Sequence, residues 1–154
     1  MIRRLIVSAA ILGALLSGCA NGGQAASDQA SVVVLNAYVR ATDEPMTGAF
    51  MIIQNASDEA VSLVSATADI SGMVEIHEVV NGMMQKKEGG IAIPAGAEAE
   101  LKPGGDHIMM MGLSGPVDVG SEVALSLTFS DGTVIDVLAP VKEVNAEQEH
   151  YHSS

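Results

Sequence analysis

From Val32 onward the chain is cut into short β-branched or alternating runs by turn-forming residues, and no segment carries the apolar period of an amphipathic helix. The runs Val32–Arg40, Ala49–Gln54, Val61–Thr67, Met73–Val80, Ile91–Ile93, Ala97–Leu101, His107–Met111, Glu122–Phe129 and Thr133–Pro140 read as strands. Between them lie Asn55-Ala-Ser-Asp58, Asn81-Gly82, Pro94-Ala-Gly96, Pro103-Gly-Gly105 and Asp131-Gly132, all residues that accept tight or positive-φ turns. Short strands at this spacing predict an all-β, antiparallel β-sandwich or Greek-key barrel, with no internal repeat.

Such a fold must be held by packing alone. Cys19 is the only cysteine, so no disulfide can form within the chain. Hydrophobic residues make up 48% of the chain but aromatic ones only 3%, which calls for a core of Val, Ile, Leu, Met and Ala.

The N-terminus has the form of an export signal. Arg3 and Arg4 precede an apolar run from Leu5 to Leu16, too short to remain as a membrane-spanning helix, and the run ends in Leu16-Ser17-Gly18-Cys19. This is the pattern of a bacterial lipoprotein signal over residues 1–18, with Cys19 as the lipidated first residue of the mature protein. The expectation is an exported protein, lipid-anchored to the bacterial cell envelope on its periplasmic or outer face. Residues 19–31 then form a flexible tether, residues 32–141 the folded domain, and residues 142–154 a disordered acidic tail that carries His150 and His152. A formal net charge of −12, more negative once Arg3 and Arg4 leave with the signal, argues against nucleic acid as a partner.

The chemistry concentrates between His77 and Met111, where two histidines and five methionines fall. Thioether sulfur is a soft ligand with no proton to lose, imidazole is borderline, and together they favour copper, above all Cu(I), over hard oxygen-seeking cations. In His107-Ile-Met-Met-Met111, strand alternation sets His107, Met109 and Met111 on one face and Ile108 and Met110 on the other. His107 and Met109 can therefore converge on one ion, although the residues alone fit a methionine-filled core strand equally well. In Met73-Val-Glu-Ile-His77, Glu75 and His77 share the face opposite Val74 and Ile76. Met83 and Met84 follow at the Asn81-Gly82 turn, where burial does not account for them. Glu75 and Asp106 are candidate acceptors that orient the imidazoles, and His150-Tyr-His152 could capture Cu(II).

The strings Glu75-Ile-His77, Gly89-Gly-Ile91, Ile93-Pro-Ala-Gly96, Leu101-Lys-Pro-Gly-Gly-Asp-His107 and His107-Ile-Met-Met-Met-Gly-Leu113 resemble the signature of the PCu(A)C family of periplasmic copper chaperones. A weaker likeness runs from about Val32 to Val141. The resemblance implies a cupredoxin-like β-sandwich that holds one Cu(I) at an exposed edge through two histidines and two methionines. Carried onto this chain, the ligands are His77, His107 and Met109, with the fourth from the Met83-Met84 pair. Counting back from His107 falls on Met84 or on Gln85, a poor Cu(I) ligand, so Met84 is taken, with Met83 as the alternate. The resemblance further implies delivery of copper to the dinuclear CuA centre in the copper subunit of cytochrome c oxidase, or to a thiol-bearing partner chaperone.

Other functions find less support. A blue-copper electron carrier requires a cysteine thiolate at the metal, and Cys19 is committed to the anchor. No Gly-x-Ser-x-Gly, His-Glu-x-x-His or paired-carboxylate pattern suggests an enzyme. Copper buffering or resistance, and a surface module whose methionines merely pack, are the remaining alternatives.

Overall fold

The computed structural model describes residues 31–144, in which ten strands form and no helix does. The expected leader 1–18, Cys19, all of the expected tether but its last residue, and the tail histidines His150 and His152 lie outside the described residues. The strands are β1 (Val32–Arg40), β2 (Met46–Asn55), β3 (Val61–Ala68), β4 (Met73–Val80), β5 (Met83–Lys86), β6 (Ile91–Ile93), β7 (Glu98–Leu101), β8 (His107–Met111), β9 (Glu122–Phe129) and β10 (Val134–Lys142). They hydrogen-bond in the order β5-β4-β8-β2-β1-β10-β9-β3-β6, with β7 beside β2.

The fold is the cupredoxin-like β architecture, with two departures from the expected strand pattern. β1 and β10 pair in parallel, Val39 against Val141 and Arg40 against Lys142, and this link joins the two halves of the sheet. The other departure is β5, a strand where only a turn and two methionines were expected. The halves close on one another, β3 against β4 and β6 against β7. Their inner faces share one cluster of Val, Ile, Leu, Met and Ala, to which Phe129 adds the only aromatic ring.

One strand edge positions everything that follows. β7 and β8 lie end to end along the same side of β2, Leu101 opposite Met51 and Ile108 opposite Ala49. Lys102–Asp106 bulges out between them, closed by Lys102 N–H donating to the Asp106 carbonyl at 2.9 Å and Gly105 N–H to the Lys102 carbonyl at 3.0 Å. The chain thus leaves the edge of β2 at the end of β7, bulges out in a small loop and rejoins that edge as β8, with His107 as its first residue.

Candidate metal centre

β8 runs between β2 and β4, and the register on both sides is regular. Met109 faces Gly48 on β2 and Glu75 on β4, while His107 faces His77. Directly opposed residues share a face, as do residues two apart on a strand. The face away from the core therefore carries His107 and Met109 flanked by Phe50 and Gly48 on one side and by His77 and Glu75 on the other. Opposite them Ile108 and Met110 are fully buried in the core, where Ile76 is buried beside them.

The β4–β5 hairpin adds the next residue. Asn81 and Gly82 both take positive φ, 54° and 75°, the conformation of a two-residue type I′ turn, for which Asn-Gly is the preferred pair. That turn sets Val79 opposite Met84 and Val80 opposite Met83. Val79 shares the face of His77, so Met84 does too, and Met83 points the other way. Met84, His107, Met109, Gly48, Phe50 and Arg40 border one groove of about 250 Å³, to which neither Met83 nor His77 contributes; His77 is joined to this set through its place opposite His107.

The two imidazoles lie 5.8 Å apart between centroids, edge to face. Each is held by one nitrogen and bare at the other. His107 Nδ1–H donates to the Gly105 carbonyl at 2.8 Å, and His77 Nε2–H donates to Glu75 Oε2 at 3.0 Å. Neither acceptor carries a proton to give, so both rings take the tautomer that leaves a lone pair on the remaining nitrogen. Those nitrogens, His107 Nε2 and His77 Nδ1, are buried with no hydrogen-bond partner among the described residues. An unpartnered buried nitrogen costs about 1–3 kcal/mol, so two on neighbouring rings call for a ligand. Two bare imidazoles beside thioethers suit a soft cation. No three His, Cys, Asp or Glu side chains among the described residues gather around a common point, and the soft donors that border the groove with His107 are the thioethers of Met84 and Met109.

Glu75 holds His77 as expected, and that hydrogen bond, with Lys86 3.7 Å away, draws the Glu75 carboxyl below its ordinary range. Asp106 orients neither ring. It pairs with Lys87 at 3.4 Å, and Lys87 reaches Glu78 at 2.7 Å, so this lysine ties the hairpin to the loop that supplies Gly105. The expected exposed edge is also narrower than foreseen. His107 is 4% and Met109 7% exposed, whereas Met84 is 54% exposed, so of these three side chains only the one from the hairpin reaches solvent.

Burial pushes the His107 ring below its ordinary pKa, against the pull of the Gly105 carbonyl and Asp106, with His77 and Arg40 adding to the depression. His107 of the metal-free protein should therefore titrate below about 6.5. The unfolded chain takes up that proton first, so the associated stability is present above about pH 6.5 and is lost as pH falls toward the depressed native value. Ring-proton NMR shifts read this directly, and a midpoint at or above the ordinary value would contradict it.

Phe50 and Gly48 were not singled out from the sequence. The Phe50 ring lies 6.2 Å from that of His107 and 5.2 Å from that of Tyr38. It leans over Gly48, where an added Cβ would sit 2.9 Å from the ring. An aromatic two residues after a glycine on the strand facing His107 was the available signal.

Residues 32–141 match the LpqE-like lipoprotein family. The chain belongs to this family. Lxx21020 of Leifsonia xyli subsp. xyli, which its name classes as a lipoprotein, is 38% identical over 160 residues, spanning 98% of this chain and 95% of that protein. Among solved structures, apo-DR1885 from Deinococcus radiodurans is 30% identical and matches 96% of this chain and 99% of that one with a TM-score of 0.59. Its Cu(I) form is 29% identical, with a TM-score of 0.60 over 79% of this chain and 85% of that one. The copper-bound PCuAC domain from PmoF2, 19% identical, matches 74% of this chain and 94% of that domain with a TM-score of 0.64. The LpqE-like chain thus has a PCuAC-type fold.

Proposed function

We propose that this chain is an exported, lipid-anchored copper chaperone that holds one Cu(I) with His77, Met84, His107 and Met109 and passes it to a cuproprotein acceptor. The observation that carries this reading is the pair of buried, partnerless nitrogens on adjacent imidazoles, each ring locked from behind by Glu75 or the Gly105 carbonyl. Such outer acceptors fix ring orientation and raise the basicity of a metal-binding imidazole. Kinship with DR1885, whose structure includes a Cu(I) form, supports copper as the ion. The lipoprotein names of the family and of Lxx21020 support lipidation at Cys19. No enzymatic step is needed.

A carrier must also release its cargo. Met84 stands on β5, at the end of the strand order, and is the one exposed member of the set. A partner can displace this thioether first, while the buried residues still hold the ion. The CuA centre of cytochrome c oxidase and a thiol-bearing chaperone are both acceptors with stronger ligands. Copper transfer from the loaded protein to an isolated oxidase copper domain tests delivery, and retention of all copper at equilibrium would favour buffering instead.

Titration of the full chain with Cu(I) against a competing chelator under reducing conditions should show one tight equivalent. Binding no tighter than that of free histidine and methionine would reject the proposal. Met84→Leu should weaken binding about tenfold or more, and Met83→Leu by less than about twofold, because Met83 faces away from the imidazoles. Equal losses in the two variants would overturn the assignment of Met84.

A further inference from the structure

Beyond Met109 the same outer face continues for one more row, and all three side chains in it are methionine. Met111 of β8 lies directly opposite Met46 of β2 and directly opposite Met73 of β4. Opposed residues of antiparallel strands have Cβ atoms about 4.5–5.5 Å apart, so the two outer methionines flank the central one at distances their flexible side chains span.

Packing does not account for this row. Met46 is 46% and Met73 58% exposed, and Met111 is half-buried, whereas Met110, on the inner face of the same strand, is fully buried. The backbone beneath the row is fastened on both sides. The Ser71 hydroxyl donates to the Met111 carbonyl at 2.6 Å and accepts from Met73 N–H at 3.1 Å, and Leu113 N–H donates to the Pro45 carbonyl at 3.1 Å. Three soft donors are thus held close on a fixed base with their sulfur ends free to move.

We propose that Met46, Met73 and Met111 form a second, all-thioether site for a soft monovalent coinage-metal ion, Cu(I) or its surrogate Ag(I). Three neutral sulfurs suit such an ion and offer hard divalent cations nothing. With no imidazole in the set, binding does not compete with protons across the range where histidine titrates. Met111 and Met109 are two residues apart on one face, about 7 Å along the strand, so the row adjoins the histidine-containing site without sharing a ligand with it. The chemistry rests on the methionines alone and stands whether or not the histidine site binds copper.

The test is Ag(I) titration of the full chain labelled with 13C at the methionine methyls, followed by two-dimensional NMR. The expected result is that Met46, Met73 and Met111 shift together, saturably, after the shifts of Met84 and Met109 are complete, and do so alike at pH 5 and pH 7. A His77→Ala/His107→Ala variant should retain the concerted shift of the three, and Met73→Leu should abolish it at Met46 and Met111 while leaving Met84 and Met109 unchanged. Three methyls that stay still at two equivalents, that move no more tightly than free N-acetylmethionine, or that move independently of one another would overturn the proposal. A response of the row with none at Met84 and Met109 would instead sink the histidine site and leave this one standing.

Discussion

His107→Leu is expected to lower Cu(I) affinity by more than about 100-fold, because loss of an outer-sphere partner alone costs about 10–100-fold and this change removes a donor atom itself. The same substitution should leave the melting temperature of the metal-free protein within about 4 °C of the parent. The ring it replaces is 4% exposed, and leucine fills a similar volume. What is lost is one hydrogen bond to the Gly105 carbonyl, worth about 1 kcal/mol, and what is relieved is the bare Nε2, which costs about as much. A histidine kept for structure would behave in the opposite way, with a large drop in stability and no change in metal affinity. Chelator competition and thermal unfolding of the same sample separate the two, and unchanged Cu(I) affinity would remove His107 from the site.

The alternation that places His107 and Met109 on one face and Ile108 and Met110 in the core was legible in five consecutive residues, because a period of two leaves no other choice. The same holds for Glu75 and His77. The hairpin strand was hidden for a physical reason: Met83, Met84, Gln85 and Lys86 are all exposed, so no burial contrast marks them, and their register comes wholly from the turn at Asn81-Gly82. The choice of Met84 over Met83 could therefore be guessed by counting, but its geometric reason required the turn conformation. Phe50 and Gly48 gain meaning only when β2 lies beside β8, a pairing across some sixty residues of chain, Gly48 to Met109. The acceptor behind His107 was missed because a backbone carbonyl has no side-chain signature; the carboxylate of Asp106 drew attention that belonged to Gly105. Tyr38 reaches Phe50 by a similar accident of backbone. β1 bulges between Leu35 and Tyr38, with Asn36 at φ 52°, and the added residue brings Tyr38 opposite Phe50.

Gly90→Ala is expected to destabilise the domain by about 4 kcal/mol or to prevent folding, whereas Gly89→Ala, one residue earlier, should cost only about 1–2 kcal/mol. Both glycines take positive φ, 80° at Gly89 and 78° at Gly90, so both substitutions incur the strain of placing a Cβ in the left-handed region. They differ in what lies beside them. A Cβ on Gly89 meets nothing within 4 Å, but one on Gly90 would lie 3.0 Å from the carbonyl carbon of Leu63 and closer still to its oxygen. Leu63 is fully buried in β3 and pairs there with Ile91, so its backbone cannot withdraw without pulling β6 out of register. Set against a typical net stability of about 5–15 kcal/mol, the cost at Gly90 is large and that at Gly89 is not. Urea unfolding of the two variants measures the gap. A Gly90→Ala midpoint that matches that of Gly89→Ala would show that β3 yields at this crossing, and that the β3–β6 pairing is looser than its burial implies.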